Sequence, residues 1–182
     1  MTDIAQGFWI FGYGSLMWKP GFPVAEQHIA TLYGYHRAFC MHSVEYRGTP
    51  EYPGLVLALD AADGASCTGL AFRVAPEHAA QAYAYLTARE LVSAAYLETR
   101  QSLQLAGGGT VEAIAYVMDT AHVQYAGHQS LEAQAHTIAT AAGPMGPNAE
   151  YLHNTVQSLA NLGIHDPELE HLDALVRARM AR

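Results

Sequence analysis

Positive charge is scarce in this sequence. Nine Lys and Arg face seventeen Asp and Glu, giving a formal net charge of −8 over 182 residues. Arg177, Arg179 and Arg182 crowd the last six positions, so Lys19, Arg37, Arg47, Arg73, Arg89 and Arg100 serve the rest of the chain. A surface that tracks phosphates needs a denser field of cations. Nucleic acid is therefore excluded as a partner, while a small anion held by one or two Arg and backbone N–H groups is not. Cysteine is equally scarce. Cys40 and Cys67 are the only two, and no basic, apolar, small-residue leader precedes Phe8, which points to a reducing, cytoplasmic setting. No apolar run approaches the roughly 20 residues that span a bilayer, so a soluble chain with no membrane partner is expected. Ten histidines are present, but none stands as His-x-x-x-His with a carboxylate and no Cys-x-x-Cys occurs, so no metal site is expected.

What is present suits a single domain. Half the residues (51%) are hydrophobic, ample for a self-sufficient core at this length. Phe8-Trp9-Ile10-Phe11, ending at Gly12, reads as a buried strand. Gln27 to Cys40 alternates as a second, long strand, interrupted at Gly34 by a bulge or a close approach. Leu55 to Leu59 is a third, and a turn at Asp63-Gly64 would return Ser66 to Val74 as its hairpin partner. Runs at 97–105 and 110–118 flank Gly107-Gly108-Gly109 as a further hairpin. Helices are predicted from Pro76 to Glu90, from Leu131 to Ala142, from Asn148 as N-cap to Leu162, and from Asp166-Pro167 onward. The last would place Leu169, Leu172, Val176 and Met180 on its buried face. Strand-rich to about residue 120 and helical after it, the pattern indicates α+β architecture with a curved mixed sheet or small barrel.

Four segments carry candidate chemistry. Gly12-Tyr13-Gly14-Ser15-Leu16 follows a strand, and its glycines permit a sharp turn whose N–H groups converge on a carboxylate or phosphate. It is neither a dinucleotide fingerprint nor a nucleophile elbow, and a plain strand exit is the alternative. Glu90 comes next. Ala79, Tyr83 and Leu86 form an apolar stripe along the helix from Pro76, and the next step of four reaches Glu90. Desolvation and the helix dipole would both raise the pKa of a carboxylate there, as a general base working near neutral pH requires. The alternatives are a side chain turned to solvent or paired with a nearby Arg. Met41 to Tyr52 reads as a long polar loop whose Arg47 either meets a substrate carboxylate or makes a surface salt bridge. The stiff turn Gly143 to Asn148 leads to Tyr151, which either faces a pocket or packs. Cys40 with His42 makes a poor nucleophile pair, since no oxyanion donor or orienting acid accompanies it.

Taken together, Phe11-Gly12-Tyr13-Gly14-Ser15-Leu16 with Trp18, Gly34-Tyr35 with Arg37, Arg47-Gly48-Thr49-Pro50, Pro53-Gly54-Leu55-Val56-Leu57, Arg89-Glu90 and Asn148-Ala149-Glu150-Tyr151-Leu152 closely resemble the ChaC family of glutathione-specific γ-glutamylcyclotransferases. The likeness runs in order from about residue 8 to residue 175. It implies a γ-glutamylcyclotransferase-like fold over the whole chain, a small mixed β-barrel with packed helices. It also implies cleavage of glutathione to 5-oxoproline and cysteinylglycine, with no cofactor, metal or nucleotide and no obligate protein partner. A cyclotransferase of wider γ-glutamyl range, or a silent module binding a small acidic ligand, are the alternatives. By resemblance, the family's Tyr-Gly-Ser-Leu loop falls on Tyr13, Gly14, Ser15 and Leu16, its catalytic glutamate on Glu90, and the Tyr of its Glu-Tyr-Leu on Tyr151. The family's Tyr-Arg pair after the glutamate is not matched, because Leu97 follows Tyr96.

Overall fold

The aromatic and β-branched run near the start of the chain forms a strand that buries three of its four side chains. In β1 (Phe8–Gly12), Phe8, Ile10 and Phe11 are buried. The structure, a computed structural model, describes residues 4–181. After β1 come a short 3-10 turn (Ser15–Met17), β2 (Glu26–Ser43), β3 (Gly54–Val74), α1 (Pro76–Glu90), β4 (Tyr96–Leu105), β5 (Thr110–Met118), α2 (Leu131–Thr140), β6 (Ala142–Gly143), β7 (Gly146–Pro147), α3 (Asn148–Asn161) and α4 (Pro167–Met180). None of the helices is long and apolar enough to cross a membrane.

The chain divides into two compact units, one made of the residues up to Arg37 with Leu59–His122, the other of Ala38–Ala58 with the chain from Val123 on. In the first, five strands close a barrel in the order β1-β3-β2-β4-β5. Closure is mixed. β1 runs antiparallel to β3 and parallel to β5, and β4 and β5 form an antiparallel hairpin that pairs Tyr96 with Met118 and Gln104 with Thr110. Full closure leaves no unpaired edge to template association. The α+β class and the small mixed barrel with helices agree with the sequence reading.

Three local expectations are corrected. Asp63-Gly64 is not a hairpin turn, because β3 passes through it without interruption. Gly64 adopts a left-handed φ of 75°, as does Gly34 in β2 at 82°, and a side chain at either would meet open space. Both glycines thus serve the backbone conformation that glycine bulges use, and not a close approach. The long loop is also shorter than expected, since Met41, His42 and Ser43 continue β2. On α4, Leu169, Leu172 and Val176 are buried, but Met180 is 56% exposed, because the stripe has drifted off the core by the final turn.

In the second unit α2, α3 and α4 pack on one another. Ser130 caps α2 through its side chain and Asp166 caps α4. His153 on α3 pairs with Asp173 on α4, and Asp173 in turn accepts from Arg177 Nε at 2.8 Å. Asn148 is no cap. It is the first residue of α3, fully buried, and its amide turns to β3, where Oδ1 accepts from Leu55 N and Nδ2 donates to Leu55 O, each at 2.7 Å. Both polar groups of one buried peptide residue thus depend on a single side chain. Asn148→Ala strands both, and is expected to lower the unfolding free energy by about 2–4 kcal/mol, measured as a fall in urea midpoint at unchanged slope.

Candidate active site

The turn after β1 is held by two arginines of the first unit. Arg37, buried, donates from Nη1 to Tyr13 O at 2.7 Å and from Nη2 to Thr68 O at 2.5 Å. In a trans peptide the N–H points opposite to the C=O, so the Gly14 N–H is directed away from Arg37. Gly14 O accepts from Met17 N and Ser15 O from Lys19 N, both at 2.9 Å. The carbonyls of the turn are therefore satisfied internally. The N–H groups of Gly14, Ser15 and Leu16 precede the first bond of the 3-10 turn, where such donors have no partner within the turn itself. Tyr13 is buried beneath, its hydroxyl donating to Tyr116 O at 3.2 Å.

Glu90 ends α1 as the stripe predicts. Ala79, Ala82 and Leu86 of that helix are buried, and the Glu90 side chain is 16% exposed. Removal from water raises its pKa above the ordinary carboxylate value, and the adjacent Arg89 guanidinium, with Nε 3.1 Å from Oε1, pulls in the opposite direction without cancelling the rise. The pairing with a nearby Arg, set in the sequence against a desolvated base, is thus what the structure contains, and burial raises the carboxyl in spite of it. Arg89 also reaches the turn, donating from Nη2 to Ser15 Oγ at 2.8 Å and from Nη1 to Lys19 O at 2.6 Å and Tyr85 OH at 3.1 Å.

A second carboxylate is one that the sequence motifs do not single out. Glu98 on β4 lies directly across from Tyr116 on β5. Its Oε1 accepts from Tyr83 OH at 3.1 Å and its Oε2 from Tyr116 OH at 3.3 Å. Burial pushes the Tyr116 phenol far above its usual pKa, and the charges of Glu98 and Glu90 add to the rise. The phenol is held as a neutral donor between two acids. The predicted runs 97–105 and 110–118 bring these two strands together, but the 98–116 register follows only once the turn is centred on Gly107.

The remaining sequence candidates belong to the second unit. Arg47 Nη1 donates to Pro147 O at 3.1 Å and to Glu150 Oε1 at 3.4 Å, and its backbone N–H meets Ser43 Oγ at 2.9 Å. Its guanidinium clamps the loop to the start of α3. Tyr151 is buried, its ring edge-on to Phe39 at 5.9 Å and its hydroxyl accepting from Leu57 N at 3.4 Å. Cys40, and Cys67 of the first unit, are buried and form no disulfide.

The family model for ChaC-like protein matches residues 8–179. The chain belongs to this family. Among its relatives, the glutathione-specific γ-glutamylcyclotransferase of Escherichia coli strain K12 is 42% identical over 95% of this chain and 74% of its own length. Gamma-glutamylcyclotransferase 2-3 of Arabidopsis thaliana is 37% identical over 94% of this chain and 89% of its own. The crystal structure of a yeast γ-glutamyl cyclotransferase specific to glutathione superposes with a TM-score of 0.86 at 25% identity, covering 95% of this chain and 96% of that one. Its fold is the fold of this ChaC-family member.

The raised carboxyl has a consequence for stability. Below about pH 4.5, the unfolded value, Glu90 is protonated in both states. Above it the folded chain retains a proton that the unfolded chain has lost, so stability falls as pH rises through the folded value. Glu90→Gln is expected to melt above the parent protein at pH 8, with the difference shrinking toward pH 5. Thermal unfolding at the two pH values measures it, and a lower melting temperature at pH 8 would mean that Arg89 outweighs desolvation.

Proposed function

We propose that this ChaC-family chain is a glutathione-specific γ-glutamylcyclotransferase, releasing 5-oxoproline and cysteinylglycine, with Glu90 as its single general acid/base. The observation that carries this reading is the desolvated carboxylate at the end of α1, tied through Arg89 to the turn Tyr13-Gly14-Ser15-Leu16. The names of the relatives support the substrate. Glutathione brings its own nucleophile: the α-amine of its γ-glutamyl group attacks the γ-carbonyl, closes a five-membered ring and expels the amine of cysteinylglycine. At neutral pH the α-amine is protonated: it loses one proton to solvent to become nucleophilic and a second to a base as the ring forms, and the departing nitrogen must gain one. Glu90 does both, its pKa bias suiting a group that accepts and returns a proton near neutrality.

The N–H groups of Gly14, Ser15 and Leu16 hold the substrate's α-carboxylate and so aim the amine at the carbonyl. Tyr13 supports the turn from below. Arg47, from the loop reading, is assigned as a contact for a substrate carboxylate, and Tyr151, matched by the family resemblance, as a pocket residue. No protein nucleophile and no metal is required, because the attacking and leaving groups both belong to the substrate. Two buried cysteines that form no disulfide suit the reducing cytoplasm as the place of work.

Purified protein should release 5-oxoproline from glutathione far faster than from γ-glutamyl-alanine. Comparable rates would indicate a broader γ-glutamyl cyclotransferase, and binding without turnover a silent module. Glu90→Gln should cut turnover at least about 100-fold while retaining substrate affinity. Near-normal turnover in the folded variant would exclude Glu90 from the proton transfers. In the parent protein kcat/KM should fall as pH drops through the raised pKa of Glu90, and dialysis against a strong chelator should leave the rate unchanged. Activity lost on chelation and restored by a divalent ion would overturn the metal-free reading.

A further inference from the structure

Adjacent side chains on an α-helix do not face each other, yet Arg89 Nε lies 3.1 Å from Glu90 Oε1. The contact exists because the guanidinium is drawn across the end of α1 by acceptors that are not in the helix. Lys19 O at 2.6 Å and Ser15 Oγ at 2.8 Å belong to the segment after β1, and Pro20 O lies at 3.4 Å. Tyr85, one turn back on α1, receives a further N–H at 3.1 Å, and its ring sits 5.9 Å beneath the guanidinium carbon. Tyr85 in turn closes on the same segment, where a side chain at Gly21 would run into its hydroxyl. With N–H groups from all three nitrogens engaged, Arg89 has little left for a substrate carboxylate.

We propose that Arg89 is a positioning residue of the cyclisation reaction, holding the base Glu90 and the anion-binding turn at Ser15 in one frame through a single planar guanidinium. This inference rests on the reading of Glu90 as the base. Such a frame matters because ring closure needs the amine near its base and the carboxylate in its cradle together, and displacements of about 1 Å cost on the order of 100-fold in rate. A fork of fixed geometry spans two such anchors, whereas an ammonium satisfies them only as a point charge. Arg89 also sets the electrostatics. The charged or titratable groups facing Glu90 are Arg89 from its own helix and, from β5, Tyr116, whose hydroxyl donates to Glu98 on β4. Of these Arg89 alone lowers the Glu90 pKa, and so favours the ionised form that can accept a proton.

Charge and geometry separate in three variants assayed with glutathione across pH. Arg89→Gln removes both, so the acid limb of kcat/KM should move up by about one pH unit and KM should rise about tenfold. Arg89→Lys restores charge without the fork: the acid limb should return to that of the parent while KM stays high. Ser15→Ala cuts one anchor and should raise KM with the acid limb in place. An acid limb in Arg89→Gln that coincides with the parent, or an Arg89→Lys limb as displaced as that of Arg89→Gln, would overturn the proposal. If Arg89→Gln does not fold, as judged by circular dichroism, the other two variants decide: an unchanged KM in both would overturn it. Glu90→Gln, run beside them, tells the two failures apart, since retained turnover there defeats the base assignment, whereas lost turnover with an unmoved Arg89→Gln limb defeats only the role of Arg89.

Discussion

Keeping one carboxylate nearly dry at the end of a helix, without letting it become permanently protonated, is the constraint on which the first unit turns. Burial alone would drive Glu90 toward its neutral form. Arg89 opposes that drive from the same helix end, where a cation also complements the helix dipole. The balance leaves the Glu90 pKa raised, though less than burial alone would raise it. Neither residue could hold the balance alone: an isolated buried Glu would be neutral, and an exposed pair would titrate near its ordinary value.

The surrounding architecture serves to fix these atoms. The closed barrel supplies a rigid wall, and the turn after β1 is gripped from two sides, by Arg37 at Tyr13 O and by Arg89 at Ser15 Oγ. Arg37 takes a backbone carbonyl of the turn and Arg89 a side-chain hydroxyl. On β4 and β5 a register pair, Glu98 with Tyr116, adds a second acid whose oxygens are occupied by the phenols of Tyr83 and Tyr116. Glu98 is thus clamped by two phenols, while Glu90 is desolvated and meets a cation.

Much of this is legible in the amino-acid sequence. The apolar stripe Ala79, Tyr83, Leu86 points to Glu90 because helical periodicity is a local property, and Pro76 marks the start of the helix. The β4 and β5 hairpin is legible for the same reason. Asp63-Gly64 misleads, since the dipeptide is a strong turn signal locally, yet pairing of β3 with its barrel neighbours overrides it and Gly64 absorbs the irregularity. Asn148 misleads in a similar way. It has the chemistry of a helix cap, but an unpaired peptide at Leu55, far off in sequence, claims its amide. Arg89 is visible in sequence only as a neighbour of Glu90. Its reach to Ser15 and Lys19 depends on bringing the segment after β1 to the end of α1, which no local pattern encodes.

The central claim is that Glu90 is a carboxylate whose pKa is raised by desolvation more than Arg89 lowers it. Titration of protein labelled with carbon-13 at the Glu side-chain carboxyl, with the Glu90 resonance assigned by its loss in Glu90→Gln, measures this directly. A midpoint clearly above the ordinary Glu value of about 4.3 is predicted. A midpoint at or below that value would show that Arg89 dominates, and would leave Glu90 without the proton affinity the chemistry needs.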